Sequence, residues 1–342
     1  MTDKQPAKKK GVLARLLTGL LILIAAGLIL AGGAAWLAWT WLQNEVAEEG
    51  PATEETVVLL PRGSGLIAIA QQLETAGVVS DARVFRVWVT IDGGDRDLQA
   101  GEYAIPAGAS MLDIYTQLRE GDTIQYFVTA PEGRTSAQIV RILTDNPVLT
   151  GEISEIPAEG TLLPETYSFH RGDSRQDILD RMRADQQALL DELWPDRAAD
   201  LPIETPEEAI VLASIVEKET GVASERPLVA SVFVNRLRRG IRLESDPTII
   251  YGITQGEPLG RGIRRSELDN ANNPYNTYFV DGLPPTPIAN PGRDAIAAVL
   301  NPPDTDYLFF VADGTGGHAF AETYREHQRN VANWRRIERE RR

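Results

Sequence analysis

The 342-residue chain contains no cysteine, which removes disulfides, thiolate zinc sites and cysteine nucleophiles and fits an oxidising compartment without requiring one. Histidine is scarce: His170, His318 and His327 are scattered, and no His-Glu-x-x-His or similar ligand spacing occurs, so neither a metal nor another cofactor is expected. Basic residues are outnumbered, 34 Lys and Arg against 49 Asp and Glu, for a net charge of -15. With +4 on the first fifteen residues, the remainder carries -19, a balance that repels a phosphate backbone and excludes nucleic acid as a partner. Charge is missing altogether from 16–42, a run long enough to cross a bilayer. Lys4, Lys8, Lys9, Lys10 and Arg15 precede it, offset only by Asp3, and Trp36, Trp39 and Trp41 gather toward its far end. The positive side should stay in the cytoplasm, with everything after Gln43 beyond the inner membrane in the periplasm. The run exceeds the apolar core of a cleaved signal peptide, so a retained single-pass anchor is expected.

Residues 43–55 are short and acidic and contain Pro51, the composition of a tether. A phrase then recurs: Pro61-Arg-Gly, Pro106-Ala-Gly and Pro131-Glu-Gly each follow a β-rich run and precede an amphipathic helix, at spacing too uneven for a solenoid. The second copy, between strands expected at Glu102 and Ile124, resembles a LysM module, a small β-α-α-β fold that grips N-acetylated glycans. An ordinary α+β packing unit is the alternative. The expected fold class is α+β, with one N-terminal transmembrane helix, a LysM-like lobe over 56–130, a bridging region over 131–204 and an α+β catalytic lobe over 205–342.

That last lobe opens on a helix with every boundary signal present. Thr205 is a natural N-cap, Pro206 takes the first helical position, Glu208 completes a capping box and Gly221 stands just past the end. At 100° per residue, Ala209, Val211, Leu212, Ala213, Ile215 and Val216 form an apolar arc that contains Glu219 but not Glu217 or Lys218. Burial and the negative end of the helix dipole both raise the pKa of a carboxyl there. The competing reading is a helix-end glutamate that turns into water. Ser214 and Lys218, one turn apart, form a nucleophile–base pair only on paper, because no oxyanion-hole motif accompanies them.

Beyond a second helix, capped by Ser224 and stopped at Gly240, the chain reads as irregular. Asp246-Pro-Thr-Ile-Ile-Tyr251, Asn273-Pro-Tyr-Asn-Thr-Tyr278 and Gly282-Leu-Pro-Pro285 are rich in loop formers, side-chain donors and flat rings, as sugar clefts are. Residues 307–312 read as a buried strand, and His318 falls in a Gly-rich turn. Carboxyl chemistry is what remains. Glycoside cleavage needs an un-ionised acid at the leaving oxygen, a role that suits Glu219, and Asp246 is the first candidate for a second carboxylate.

Ala213-Ser-Ile-Val-Glu-Lys-Glu-Thr220, Ala223-Ser-Glu-Arg226, Val232-Phe-Val-Asn-Arg-Leu237, Ser245-Asp-Pro-Thr-Ile-Ile-Tyr-Gly252, Tyr275-Asn-Thr-Tyr278 and Gly317-His318 together resemble the MltG (YceG-like) endolytic murein transglycosylases. Gln99-Ala-Gly-Glu-Tyr103 and Leu163-Pro-Glu-Thr-Tyr167 extend the likeness over nearly the whole chain, with Glu165 standing where many members carry aspartate. The resemblance implies that Glu219, the second glutamate of Glu-Lys-Glu, is the catalytic acid, and that nascent peptidoglycan strands are cut between MurNAc and GlcNAc. The MurNAc C6 hydroxyl then closes a 1,6-anhydro ring. Asn235, Asp246, Thr248, Tyr251, Asn276 and Tyr278 are the candidate saccharide contacts, and the family suggests penicillin-binding proteins or other wall synthases as partners. A non-catalytic membrane-tethered glycan-binding scaffold and a water-using glycoside hydrolase remain the alternatives.

Overall fold

An apolar run without proline makes one long helix, α1 (Lys9–Ala47). The structure, a computed structural model, describes residues 9–341, with side chains from Arg15 onward. Of the expected basic head, Lys4, Lys8 and the side chains of Lys9 and Lys10 lie outside the described residues. The apolar side chains between Leu16 and Leu37 face outward, and the helix is long and apolar enough to span a membrane. Its last turns do something else. Leu42 and Val46 are buried in a protein core, and the Trp39 ring stacks on Trp88 at 6.0 Å. The expected tether is therefore not free chain: α1 runs through Ala47, and the Gly50 N–H donates to the Gly108 carbonyl at 3.1 Å while the Gly108 N–H donates to Ala52 at 2.8 Å.

The chain divides into two compact units at Ile124/Gln125. In the first, β1 (Thr56–Leu60), α2 (Leu66–Thr75), α3 (Ala82–Asp92) and β2 (Gly101–Ile105) form a β-α-α-β run, followed by α4 (Met111–Glu120). β1 and β2 pair antiparallel, from Thr56 opposite Ile105 to Leu60 opposite Gly101. Their inward residues meet the apolar faces of α2, α3 and α4 around Leu73, Phe85, Tyr103, Ile105 and Ile114, all fully buried. The β-α-α-β run thus lies earlier than the expected 102–124 copy, because β2 takes its hydrogen bonds from β1.

The next strand, β3 (Gln125–Thr129), belongs to the second unit, where it pairs antiparallel with β4 (Thr166–His170). With α5 (Ser136–Asp145) and α6 (Arg175–Leu193) these strands enclose a core at Val128, Ile139, Leu143, Phe169 and Met182. Residues 131–204 are therefore part of a folded body with its own core rather than a bridge.

The remaining elements are α7 (Pro206–Glu219), α8 (Arg226–Arg238), α9 (Asp246–Thr254), the short α10 (Arg265–Leu268), α11 (Arg293–Leu300), the hairpin β5 (Phe309–Ala312) and β6 (His318–Ala321), and α12 (Tyr324–Arg341). α7 starts as its sequence requires: Thr205 accepts from the Glu208 N–H, and Glu208 closes the capping box. It ends on Thr220, which turns extended, so no left-handed glycine is needed there. Every residue from Ala209 to Val216 is buried against α8, α11 and neighbouring loops. Four expectations are corrected. A 3-10 turn, Ala223–Glu225, precedes α8, so Ser224 is not its cap. Residues 246–251 are helical, because Pro247 falls in the first turn of α9, where its missing N–H costs nothing. His318 opens β6 rather than lying in the turn, and β5 is half-buried.

Candidate active site

Glu219 closes the last turn of α7. It is half-buried, and the protein packed around its carboxyl pushes the pKa up to about 7. Ser245, at the N-cap position of α9, donates to Oε1 at 2.5 Å and opposes that rise; neighbouring Asp246 adds to it; His318 and Arg236 pull downward. Desolvation wins, leaving a carboxyl that holds or releases its proton near neutrality. Some of its surface still reaches solvent.

The partners of Glu219 are themselves fixed. Ser245 takes its N–H to Thr277 Oγ1 at 2.9 Å, and Thr248 Oγ1 bonds the Ser245 carbonyl at 2.7 Å. The residue before it, Glu244, has φ 53, a left-handed conformation costly for a side chain bearing Cβ. Buried Arg236 restrains that segment: Nη1 donates to the carbonyls of Arg242 and Leu243 and to Glu244 Oε2 at 2.9–3.1 Å, while Nε reaches the Leu308 carbonyl at 2.7 Å. On the other side, Glu225 receives the His318 backbone N–H at 2.8 Å and faces its Nδ1 at 2.7 Å. Burial pushes the Glu225 carboxyl up, but the bonds from His318 and Thr220 outweigh it and hold the pKa below the usual range. A Cβ at Gly317 would stand 2.4 Å from Glu225 Oε1, so a side chain there would push that carboxylate aside.

Glu217 points elsewhere. It accepts from Arg226 Nη2 at 3.1 Å and from the Gly292 N–H at 3.1 Å, with Glu132 also on Arg226 at 2.7 Å. The side chains of Glu217 and Arg226 are only 5% and 11% exposed, so this is a buried ion cluster that pins the end of α7. Lys218 Nζ donates to the Gly133 carbonyl at 3.2 Å. Ser214 donates to Val211 and accepts from the Ile288 N–H, so it is a packing bond in the core and not half of a nucleophilic pair.

The expected saccharide contacts separate into two groups. Asp246 is exposed and accepts from the Tyr278 hydroxyl at 3.0 Å; burial raises the Tyr278 pKa, and Asp246 and Glu219 add to it. These two residues stand with Glu219. The others are turned to the protein: Asn235 Nδ2 donates to the Thr305 and Tyr307 carbonyls, Asn276 Nδ2 to those of Leu268 and Asn270, and Thr248 is fully buried against Ser245 and Thr277. Tyr251 is buried with its ring edge-on to Tyr275 at 4.9 Å. Direct contact with a sugar would break those bonds. Ser245, Glu225 and Arg236 were not singled out from sequence, although the motifs quoted above contain all three. Glu165 is exposed, just ahead of β4.

A carboxyl poised near neutrality beside an aspartate and a carboxylate-held histidine has the make-up of an acid–base centre. The profile of the YceG-like family matches residues 58–333, and the chain belongs to that family. The endolytic murein transglycosylase of Bacillus subtilis (strain 168) is 29% identical over 331 residues, 87% of this chain and 89% of its own. The protein of the same name from Streptococcus pneumoniae serotype 2 is 30% identical over 321 residues, 80% of this chain but 57% of that longer one. A solved yceG-like protein from Listeria monocytogenes aligns with a TM-score of 0.49 at 29% identity, over 81% of this chain and 99% of its own.

Proposed function

We propose that this chain is a membrane-anchored endolytic murein transglycosylase whose acid and base are one group, Glu219. The observation that carries the reading is that carboxyl: half-buried, held by Ser245, with a pKa of about 7, in a chain whose relatives bear that enzyme name. Protonated Glu219 donates to the glycosidic oxygen as the bond from MurNAc C1 breaks. The resulting carboxylate takes the proton of the MurNAc C6 hydroxyl, whose oxygen bonds to C1 and closes the 1,6-anhydro ring. The proton count returns to its starting point, and no water is consumed. Asp246, exposed beside the acid, faces the charge that develops at C1, and Tyr278 holds it there. Asn235, Thr248, Tyr251 and Asn276 support the saccharide surface from behind.

The β-α-α-β run over Thr56–Ile105 serves as a LysM-like glycan grip, and α1 anchors the chain with its basic end in the cytoplasm and everything after Gln43 in the periplasm. Penicillin-binding proteins or other wall synthases supply the nascent strands.

The test is the chemistry of the cut ends. Purified full-length protein should release strands ending in anhydro-MurNAc from uncross-linked glycan, as read by mass spectrometry. Glu219→Gln should slow release by about 10²–10⁴-fold. Reducing MurNAc ends, heavier by one water, would make the protein a hydrolase with Asp246 placing the water. Equal release by wild type and variant, or none by either, would leave a glycan-binding scaffold.

A further inference from the structure

In the first unit, the side chains of α3 are graded around the helix. Ala82, Phe85 and Val89 are buried and mark its core side, and at about 100° per residue Trp88 stands at one edge of them. Continuing round from Trp88, Val84, Ile91 and Val87 come next, then Arg83 and Thr90, and last Arg86. The apolar sector therefore borders the tryptophan, and the arginines lie beyond it. Val87 and Ile91 stand one turn apart and are 49% and 56% exposed. Apolar residues scattered singly over a surface are ordinary. These two share one side of a helix and adjoin a pair of indole rings.

What covers that sector follows from α1, which packs on α3 and lays Trp39 on Trp88 with the ring centroids 6.0 Å apart. The uncharged run of α1 starts at Leu16. A hydrocarbon core of about 30 Å takes about 20 helical residues at about 1.5 Å each, which brings its far edge close to Trp36. Trp39 stands about 5 Å higher, inside a headgroup layer that adds about 5–7 Å on that side. Leu42, the next residue on the Trp39 side of the helix, is already buried in the core of the first unit. No length of chain separates bilayer from protein, so the part of the unit that meets Trp39 is at lipid depth. That part is Trp88, with Val84, Ile91 and Val87 beside it. Arg83, whose guanidinium rests on Asp81, and Arg86 stand farther round, where a long basic side chain reaches a phosphate. Aliphatic residues, tryptophan and flanking arginine are the make-up of a helix that lies in a membrane interface.

We infer that α3 is a membrane-contact helix: Val87 and Ile91 enter the boundary between headgroups and acyl chains of the bilayer that α1 crosses, and Arg83 and Arg86 reach its phosphates. The first unit is thereby held flat on the lipid. This rests on the reading of α1 as a membrane anchor, and the two are tested apart. The chain has no cysteine, so Val87→Cys, Ile91→Cys and, within α1, Leu28→Cys each carry a single nitrobenzoxadiazole label on full-length protein in nanodiscs of phosphatidylethanolamine and phosphatidylglycerol. Labels at 87 and 91 should shift their emission to the blue and resist aqueous iodide. They should lose more emission to a lipid nitroxide near the carbonyls than to one deep in the acyl chain, since an interfacial helix enters only about 5–10 Å. The label at 28 should lose more to the deep nitroxide. Labels at 87 and 91 that iodide quenches and neither nitroxide touches would overturn the inference, while a quenched label at 28 would keep the anchor. Labels at 87 and 91 shielded from iodide and nitroxides alike would overturn it too and assign the face to a protein, such as a second copy of this chain. A label at 28 beyond the reach of both nitroxides would overturn the anchor reading and the contact with it.

Discussion

The two units bury different things. Among the described residues of the first, the core around Phe85, Tyr103 and Ile114 is apolar, and only Glu102 and Ser110 are polar and buried. The second buries Ser214, Thr220, Arg226, Ser231, Asn235, Arg236, Ser245, Thr248, Asn276, Thr277 and Asn290 around an apolar centre of similar make-up. A side chain in the first unit is held mainly by area and shape. In the second, directional bonds hold one carboxyl in a fixed place, and each of those bonds carries a desolvation cost that a purely structural core avoids. Polar burial therefore marks where position matters more than stability.

Four measurements can break or sharpen that contrast. The largest effect should come from Arg226→Met, which strands Glu217 as a buried charge without its partner and should cost about 3–5 kcal/mol in chemical denaturation. Burial already raises the Glu217 pKa, and losing the guanidinium raises it further, so the deficit should deepen as pH rises. A deficit that does not change with pH would mean that Glu217 is not charged in the native protein.

Next is Glu219→Gln, read as stability. The folded pKa of about 7 lies above the ordinary value of 4.5, so the protonated acid favours the fold and that advantage is lost as pH rises through 7. The glutamine variant should match wild type below pH 4.5 and gain on it between 4.5 and 7. Above pH 7 it should hold a lead of about 3 kcal/mol. The same titration should make wild-type turnover fall above pH 7. Third, Ser245→Ala removes the one hydrogen bond that lowers the Glu219 pKa. Its stability cost is about 0.5–1.5 kcal/mol, and the alkaline limb of the pH–rate profile should move upward. Smallest in its reach is Ile114→Val in the first unit: about 1 kcal/mol of stability, with the pH–rate profile unmoved. Movement of that profile would erase the contrast between the units.

Helix α7 was legible residue by residue, because its cap, its proline and its apolar arc are local signals, and they place Glu219 on the inward face. What holds Glu219 was not. Ser245 arrives from 26 residues along the chain, and Glu225 acts through a bond to His318, 93 residues away. No periodicity encodes such meetings. Strand pairing failed for a related reason: the choice of β1 as partner for β2 and of β4 as partner for β3 belongs to tertiary packing. Proline and asparagine misled at α9, where composition suggested loop although Pro247 stood where a helix accepts it. Asn235 and Asn276 misled in another way, since an amide that can grip a sugar can equally tie down a loop.

The end of α1 deserves a mechanical reading. Because Leu42 and Val46 are part of the core they enter, and Trp39 lies flat on Trp88, α1 and the rest of the first unit turn as one piece. Each residue of an α-helix adds about 100° of rotation and 1.5 Å of rise. The length of α1 before Trp39 is thus an angular setting: one residue more or fewer there would swing the whole first unit by about a quarter turn relative to the residues at the helix's start.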